Sequence, residues 1–318
     1  MVHERRALPW ARRQLLWIAL AAALAPSAAW VEASTGSTAS TLGDVELESS
    51  RGRILHRALR ADPQQEYLLY VPHGAGRGAP ILVTVHGISR NVEEHAKLFA
   101  PYAEQHDVVL VAPSFTSERN EGYQRLTNEG VGKRADRALE AIVAEVAAST
   151  GADGRKFRLF GFSGGAQFAH RYTLAHPERV ISAAIGAAGW YTFPDPRTPY
   201  PYGLGPSADR SDLRFDPERF LRVPIVVFVG KEDTAGGESL RRNPQLNRQQ
   251  GTTRLARARR WVAEMNRAAR SRGLPPPASC QEVAGIEHSF GQFMKEGGLG
   301  ERVFAALFAT PSSLGASR

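Results

Sequence analysis

The sequence predicts an α/β protein: one domain on a mostly parallel central sheet with helices on both faces. Three observations predict it. From about Glu66 onward, short β-type apolar runs alternate with segments whose apolar residues recur at helical spacing. Strands separated by helical patterns imply crossover units, and therefore parallel neighbours. Two of the runs, Val180–Ile185 and Ile225–Val229, are apolar almost throughout, as expected of strands covered on both faces. The chain has 318 residues and no internal repeat, so a single large domain accommodates the pattern.

A hydrophobic share of 42% and a charged share of 23% belong to a globular chain and exclude disorder over most of its length. No apolar run reaches the ~20 residues of a spanning helix, so no stable membrane insertion is expected. The single cysteine, Cys280, excludes an internal disulfide framework and a thiolate zinc site. Its apolar strand context reads as an inert core thiol. The net charge of +8 is spread along the chain, and no basic block is interleaved with aromatics. That reads as a solvated basic surface, with no nucleic-acid partner.

The amino terminus reads as an address label. Arg5, Arg6, Arg12 and Arg13 precede an apolar stretch from Leu15 to Ala25, followed by Pro26 and small residues. This is the order of a secretory signal peptide, assigned to residues 1–33 with cleavage after Ala29 or Ala33. The Arg12-Arg13 pair also suits twin-arginine export, without the usual Ser or Thr before it and Phe after it. Residues 34–60 read as a flexible leader, rich in Ser, Thr and Gly at first. The folded domain is expected over 61–310, with a tail at 311–318.

Within that domain each element has a local reason. Tyr67–Val71 and Ile81–Val85 are strand-like runs separated by a Gly/Pro turn cluster. Val92, Ala96, Phe99 and Ala103 recur at helical spacing behind Asn91 and Glu94, which resemble a capping pair. Asp107–Ala112 is a strand ending at Pro113, and Leu139, Ile142, Val143 and Val146 mark a helix closed by Gly151. The strand Phe157–Phe160 leads to a helix with Phe168, Tyr172 and Ala175, ended by Pro177. Leu255, Ala258, Val262 and Met265 form a helix stripe with Arg257, Arg260, Arg267 and Arg270 on its solvated far side. Ser279–Val283 is a last strand, and Val303, Phe304, Leu307 and Phe308 a terminal helix.

The chemistry centres on Gly161-Phe162-Ser163-Gly164-Gly165, which directly follows one strand and opens the next helix. A serine on so sharp a turn needs a strained backbone, and the glycines supply the room. The helix amino terminus behind it favours developing negative charge. A serine hydroxyl is a poor nucleophile until a base accepts its proton and a carboxylate orients that base. Asp233 lies just beyond the strand Ile225–Val229, on the same sheet edge. Its neighbour Glu232, beside Lys231, reads as a solvated charge on the outer side of the turn. Thr234 offers a hydroxyl that could fix a short carboxylate.

Of nine histidines, only His288 lies in a loop after a strand and downstream of both other candidates. His86 reads as a structural residue beneath a neighbouring loop, and His170 and His176 as packing or capping residues.

The order Ser163, Asp233, His288, each in a loop after a strand, resembles the α/β-hydrolase superfamily over roughly Glu66 to Phe308. Tyr67–Pro72, Ile81–Gly87 and Val108–Pro113 are similar to secreted esterases of the poly(3-hydroxybutyrate) depolymerase and feruloyl esterase group. The resemblance implies an oxyanion hole made by the backbone N–H groups of Ile88 and Gly164. That group often has cysteine where this chain has Ile88. The stretch Trp190–Pro206 carries five prolines and five aromatics, within a cap-like insertion at about 189–222. Trp190 and Tyr191, with Phe162, are candidates to line a substrate pocket; the alternative for the stretch is that it covers the sheet edge.

The expected function is an exported serine carboxylester hydrolase acting on a small-molecule or polymeric ester, with no metal or organic cofactor. The alternatives are a serine peptidase or amidase using the same three residues, and a non-catalytic binding protein on the same fold.

Overall fold

The computed structural model describes residues 49–207, 212–234 and 240–308. The expected signal peptide, the leader up to residue 48 and the tail 311–318 lie outside the described residues. Along the chain run β1 (Ile54–Leu59), β2 (Asp62–Tyr70), β3 (Ile81–Val85), α1 (Val92–Gln105) and β4 (Val109–Pro113). After a 3₁₀ turn at Tyr123–Arg125 come α2 (Ala135–Thr150), β5 (Phe157–Phe162), α3 (Gly164–Ala175) and β6 (Val180–Gly186). A long irregular segment with the short α4 (Pro217–Phe220) leads to β7 (Ile225–Gly230), α5 (Pro244–Gln250), α6 (Arg254–Arg270) and β8 (Ala278–Val283). Helices α7 (Phe290–Lys295) and α8 (Leu299–Phe308) follow.

The eight strands form one sheet in the order β1-β2-β4-β3-β5-β6-β7-β8. The six strands β3 to β8 are parallel, whereas β1 pairs antiparallel with β2, and β2 antiparallel with β4. Alternate residues of the parallel strands divide between two cores. Val83, Val111, Leu159, Ile185 and Val227 face the side covered by Leu139 and Ile142 of α2, Phe168 of α3 and Trp261 of α6. Leu82, Leu110, Phe160, Ala184 and Phe228 face the side covered by Phe99 of α1, Phe293 of α7 and Phe304 of α8. Such strands are apolar on both faces because neither face meets water.

The order also places the site. The chain leaves β3 for β4 on one side and later returns to lay β5 on the other, so connections diverge between β3 and β5. The carboxyl ends of strands at such a switch point border a crevice suited to a ligand.

The leader expected to reach residue 60 instead becomes strand β1 at Ile54. Its residues pair from Ile54 with Tyr70 to Arg57 with Tyr67, and only Leu59 is buried. An edge strand of this kind is held by main-chain pairing and so lacks the apolar signal of a covered one. Elsewhere Gly151 closes α2 in the left-handed conformation, φ 73°. Asn91 and Glu94 do pair, but Asn91 donates its amide to the Glu94 carboxylate and makes no side-chain cap to the helix backbone.

Among the described residues three histidines are fully enclosed: His86, His95 and His170. His86 and His170 each accept a backbone N–H at Nε2, from Phe115 and from Thr192, both at 3.0 Å. His95 bonds the Thr84 hydroxyl at 2.8 Å and stacks on Phe290. Burial pushes His86 down to about 4 and holds His95 and His170 well below the ordinary histidine range. The unfolded chain takes up these protons near pH ~6.5, while the native one refuses them. Stability is therefore full above that pH and declines as pH falls towards about 4, by up to ~1.4 kcal/mol per pH unit for each histidine. Thermal midpoints should hold level from pH 8 to 7 and drop steeply below ~6.5. A midpoint still level at pH 5 contradicts this account.

Candidate active site

At the end of β5 the chain turns into α3 through Ser163, whose φ of 53° and ψ of −111° lie where L side chains are rarely found. Such a conformation costs about 1–3 kcal/mol and persists only where its surroundings over-determine it. Here the Ser163 N–H donates to the Gly186 carbonyl at 2.7 Å, tying the turn to the end of β6. The Ser163 carbonyl accepts the Gln167 N–H at 3.1 Å, starting α3. The flanking glycines are spatial necessities: a Cβ at Gly161 would sit 2.1 Å from the Gly165 carbonyl oxygen, and one at Gly165 2.0 Å from that of Val85. Helix and strands meet backbone to backbone.

The turn leaves the Ser163 side chain half-buried and aimed at His288. Ser163 Oγ lies 3.0 Å from His288 Nε2, and His288 Nδ1 lies 2.9 Å from Asp233 Oδ2. With Nδ1–H donating to the carboxylate, Nε2 is left to accept the serine proton. The ring of Phe162 stacks on His288 at 5.3 Å and packs on Phe290 at 5.4 Å, fixing the imidazole plane. All three residues expected to work together are brought together.

The loops carrying the acid and the histidine are bound to each other. Lys231 and Glu232 donate their N–H groups to the carbonyls of Val283 and Ile286, at 2.9 and 3.2 Å. Gly230 permits this, since a Cβ there would meet the Ile286 carbonyl oxygen at 1.9 Å. Glu232 is exposed, as its sequence context implies, but it is no idle charge: its carboxylate accepts the Ile286 N–H at 3.1 Å. Thr234 does not hold the acid, because its hydroxyl turns to the Glu232 carbonyl. That position belongs to Arg254, whose Nη1 donates to Asp233 Oδ1 at 3.1 Å with both side chains buried. Sequence reasoning missed Arg254. The signal was present in its position, on the stripe that begins Leu255 and Ala258 rather than opposite it.

On the β3 side, His86 lies under the loop as expected. Its Nδ1–H donates to the Gly87 carbonyl at 2.9 Å, while Tyr123 Oη donates to the His86 carbonyl at 3.0 Å. The Gly87 carbonyl also accepts the Arg90 N–H at 3.1 Å. With these carbonyls committed, the turn presents the Ile88 amide beside Gly164, where an added Cβ would lie 3.1 Å from Ile88 N. Among the described residues, no hydrogen bond within the chain takes up the N–H of Ile88 or of Gly164. The Ile88 side chain stands half exposed on the rim.

A cleft of about 360 Å³ opens here, lined by Gly87, Ile88, Phe162, Ser163, His288 and Phe290 among others. Phe162 thus lines it, but Trp190 and Tyr191 do not. Tyr191 is wholly buried and stacks on Trp261 at 4.9 Å, its backbone clasped at N–H and C=O by the Gln250 amide, both at 2.8 Å. Trp190 is buried beneath the guanidinium of Arg171, 4.1 Å from its ring. Of that stretch Trp190, Tyr191, Phe193 and Tyr200 are buried, while Pro196, Arg197, Pro199 and Pro206 remain exposed. His170 is a packing residue as expected, and His176 donates to Asp136 at 2.9 Å. Cys280 is half-buried in β8, its thiol pushed up to about 11 by burial, which suits an inert role.

No protein-family model and no curated protein matches this sequence. Solved structures do. A poly(3-hydroxybutyrate) depolymerase from Bordetella parapertussis is 27% identical, with a TM-score of 0.66 over 85% of this chain and 94% of its own. A poly(aspartic acid) hydrolase from Sphingomonas sp. KT-1 is 24% identical, with a TM-score of 0.67 over 79% of this chain and 97% of its own. The chain has the α/β-hydrolase fold. An S-formylglutathione hydrolase from Agrobacterium tumefaciens, 18% identical, shares it more distantly, with a TM-score of 0.51 over 80% of this chain and 94% of its own. The fold expected from the order of the three loops is the fold observed.

The glycines flanking Ser163 give a prediction about stability. Gly165→Ala should lower unfolding free energy by about 3 kcal/mol, because backbone must move to admit the methyl group. Gly76→Ala, with open space around its position, should change it by less than ~0.5 kcal/mol. Urea midpoints of the two variants test the contrast, and equal midpoints would refute the packing argument.

Proposed function

We propose that the chain is an exported serine hydrolase that cleaves carboxylic esters. The observation that carries this reading is the unbroken line of hydrogen bonds from Ser163 Oγ through His288 to Asp233 on a strained turn. In the proposed cycle, His288 Nε2 takes the Ser163 hydroxyl proton as Oγ attacks the ester carbonyl carbon. The carbonyl oxygen, now an oxyanion, is received by the N–H groups of Ile88 and Gly164. The bond to the alcohol oxygen then breaks, and His288 passes its proton to the departing alcohol. Water attacks the acyl-enzyme by the same route, and the carboxylic acid leaves as Ser163 regains its proton. Asp233 holds Nδ1–H throughout.

What supports the ester class is the neighbour at 27% identity, named a poly(3-hydroxybutyrate) depolymerase, together with the apolar side chains of Ile88 and Phe162 in the cleft beside the serine. Esters of short hydroxyalkanoic acids, free or polymeric, fit both. The arginine-led apolar amino terminus supports export to the periplasm or medium.

Hydrolysis of acyl p-nitrophenyl esters, methyl ferulate, hydroxybutyrate oligomers and matched amides tests the substrate class; faster turnover of the amides would replace the ester reading with an amidase one. Ser163→Ala should abolish hydrolysis and fluorophosphonate labelling, a loss of about 10⁴-fold or more. A variant that keeps a few per cent of wild-type turnover sinks the nucleophile assignment.

Asp233→Asn should lower kcat by roughly 10²- to 10⁴-fold, through the wrong imidazole tautomer. Glu232→Gln keeps an acceptor for the Ile286 N–H and should cost less than about fivefold. The opposite ranking would move the acid by one residue.

A further inference from the structure

Arg254 occupies a place that helix stability alone would not give it. It is the first residue of α6, after Thr253, whose hydroxyl caps the helix by accepting the Ala256 N–H at 3.1 Å. The amino-terminal end of a helix of 17 residues carries partial positive charge, which favours an acid there and opposes a cation. Arg254 is also only 2% exposed, so its guanidinium has lost its water. The 3.1 Å hydrogen bond from Nη1 to Asp233 Oδ1 offsets part of both costs.

That contact divides the Asp233 carboxylate. Oδ1 is held by Arg254 and Oδ2 by His288, so rotation of the carboxylate breaks one bond or both. Two buried groups of opposite charge compensate each other, and removing Arg254 would take from the Asp233 carboxylate the buried cation 3.1 Å away. Among the described residues, the ion pairs of Asp233 are with Arg254 and His288. Arg257, on the same helix, spends its guanidinium on the carbonyls of Gly189 and Gly251 and on Asn247. Lys231 is exposed, and Glu232 is turned to Ile286.

We propose that Arg254 is a positioning residue for the reaction: it locks the rotation of Asp233 and balances its charge from behind, keeping Oδ2 on His288 Nδ1 while the imidazole accepts and returns the serine proton. The inference rests on the serine-hydrolase reading above.

A double-mutant cycle tests it, because a residue acting through Asp233 loses its effect once that carboxylate is gone. Arg254→Met should lower kcat by about 10- to 100-fold with KM within about twofold, and Arg254→Lys should recover most of the loss. In the Asp233→Asn background, Arg254→Met should cost less than about threefold more. Losses that multiply, or an Arg254→Met enzyme at wild-type kcat, overturn the proposal. If Arg254→Met lacks a native thermal transition, Arg254→Gln takes its place in the same cycle.

Fluorophosphonate labelling of Ser163 separates the two levels of inference. A wild-type chain that neither labels nor hydrolyses esters removes the serine-hydrolase reading itself. A wild type that does both, beside Arg254 variants equal to it, removes only the positioning role.

Discussion

The candidate site depends on one backbone conformation, the positive φ of Ser163. A residue with a Cβ is held there only because everything around it leaves no alternative. The restraint is mostly main chain: the 2.7 Å bond to Gly186, and glycines at 161 and 165 that let α3 approach β5 and β3 at backbone distance. A side chain at either position would push the helix outward and relax the turn. The hydroxyl would then fall back towards the sheet and leave the reach of His288. Strain at Ser163 and close packing beneath it are thus one fact seen from two sides.

The same logic extends along the sheet edge. His288 and Asp233 sit on loops, which carry few apolar contacts of their own, yet their relative placement must be accurate to tenths of an ångström. Beside the His288–Asp233 bond itself, three more main-chain or carboxylate hydrogen bonds join the two segments, and Gly230 lets them touch. Behind the Gly87–Ile88 turn, a neutral His86 holds Gly87 from one nitrogen and Phe115 from the other. That residue works only without its second proton. The acid sensitivity of the fold and the geometry of the Ile88 amide are therefore linked through one imidazole.

What the sequence made legible follows from what each feature contributes. The parallel strands were visible because they are covered on both faces and read as apolar runs; β1 was not, because pairing along an edge needs no particular side chains. Ser163, Asp233 and His288 were visible because each follows a strand in a fixed order. Tyr191 was misplaced because an aromatic among prolines looks the same whether it lines a pocket or fills a core. Only the Gln250 clasp and the Trp261 stack distinguish the two, and both come from residues about sixty to seventy positions away.

The arginines are the deepest case of that difficulty. Net charge of +8 in a chain with one cysteine suggests a basic surface, yet Arg171, Arg254 and Arg257 are almost wholly enclosed. Burial pulls Arg171 and Arg257 down to about 10, which still leaves both cationic at neutral pH. Arg171 joins α3 to the Gln124 carbonyl and the Thr192 hydroxyl, and Arg257 joins α6 to Gly189 and Gly251. Arg254 joins the same helix to the acid loop. Arg171 and Arg257 reach irregular backbone, whose carbonyls no ladder satisfies. A planar group with five donors meets several of them at once. In a chain that cannot use disulfides, buried arginine ties the loops of the site to the helices behind them.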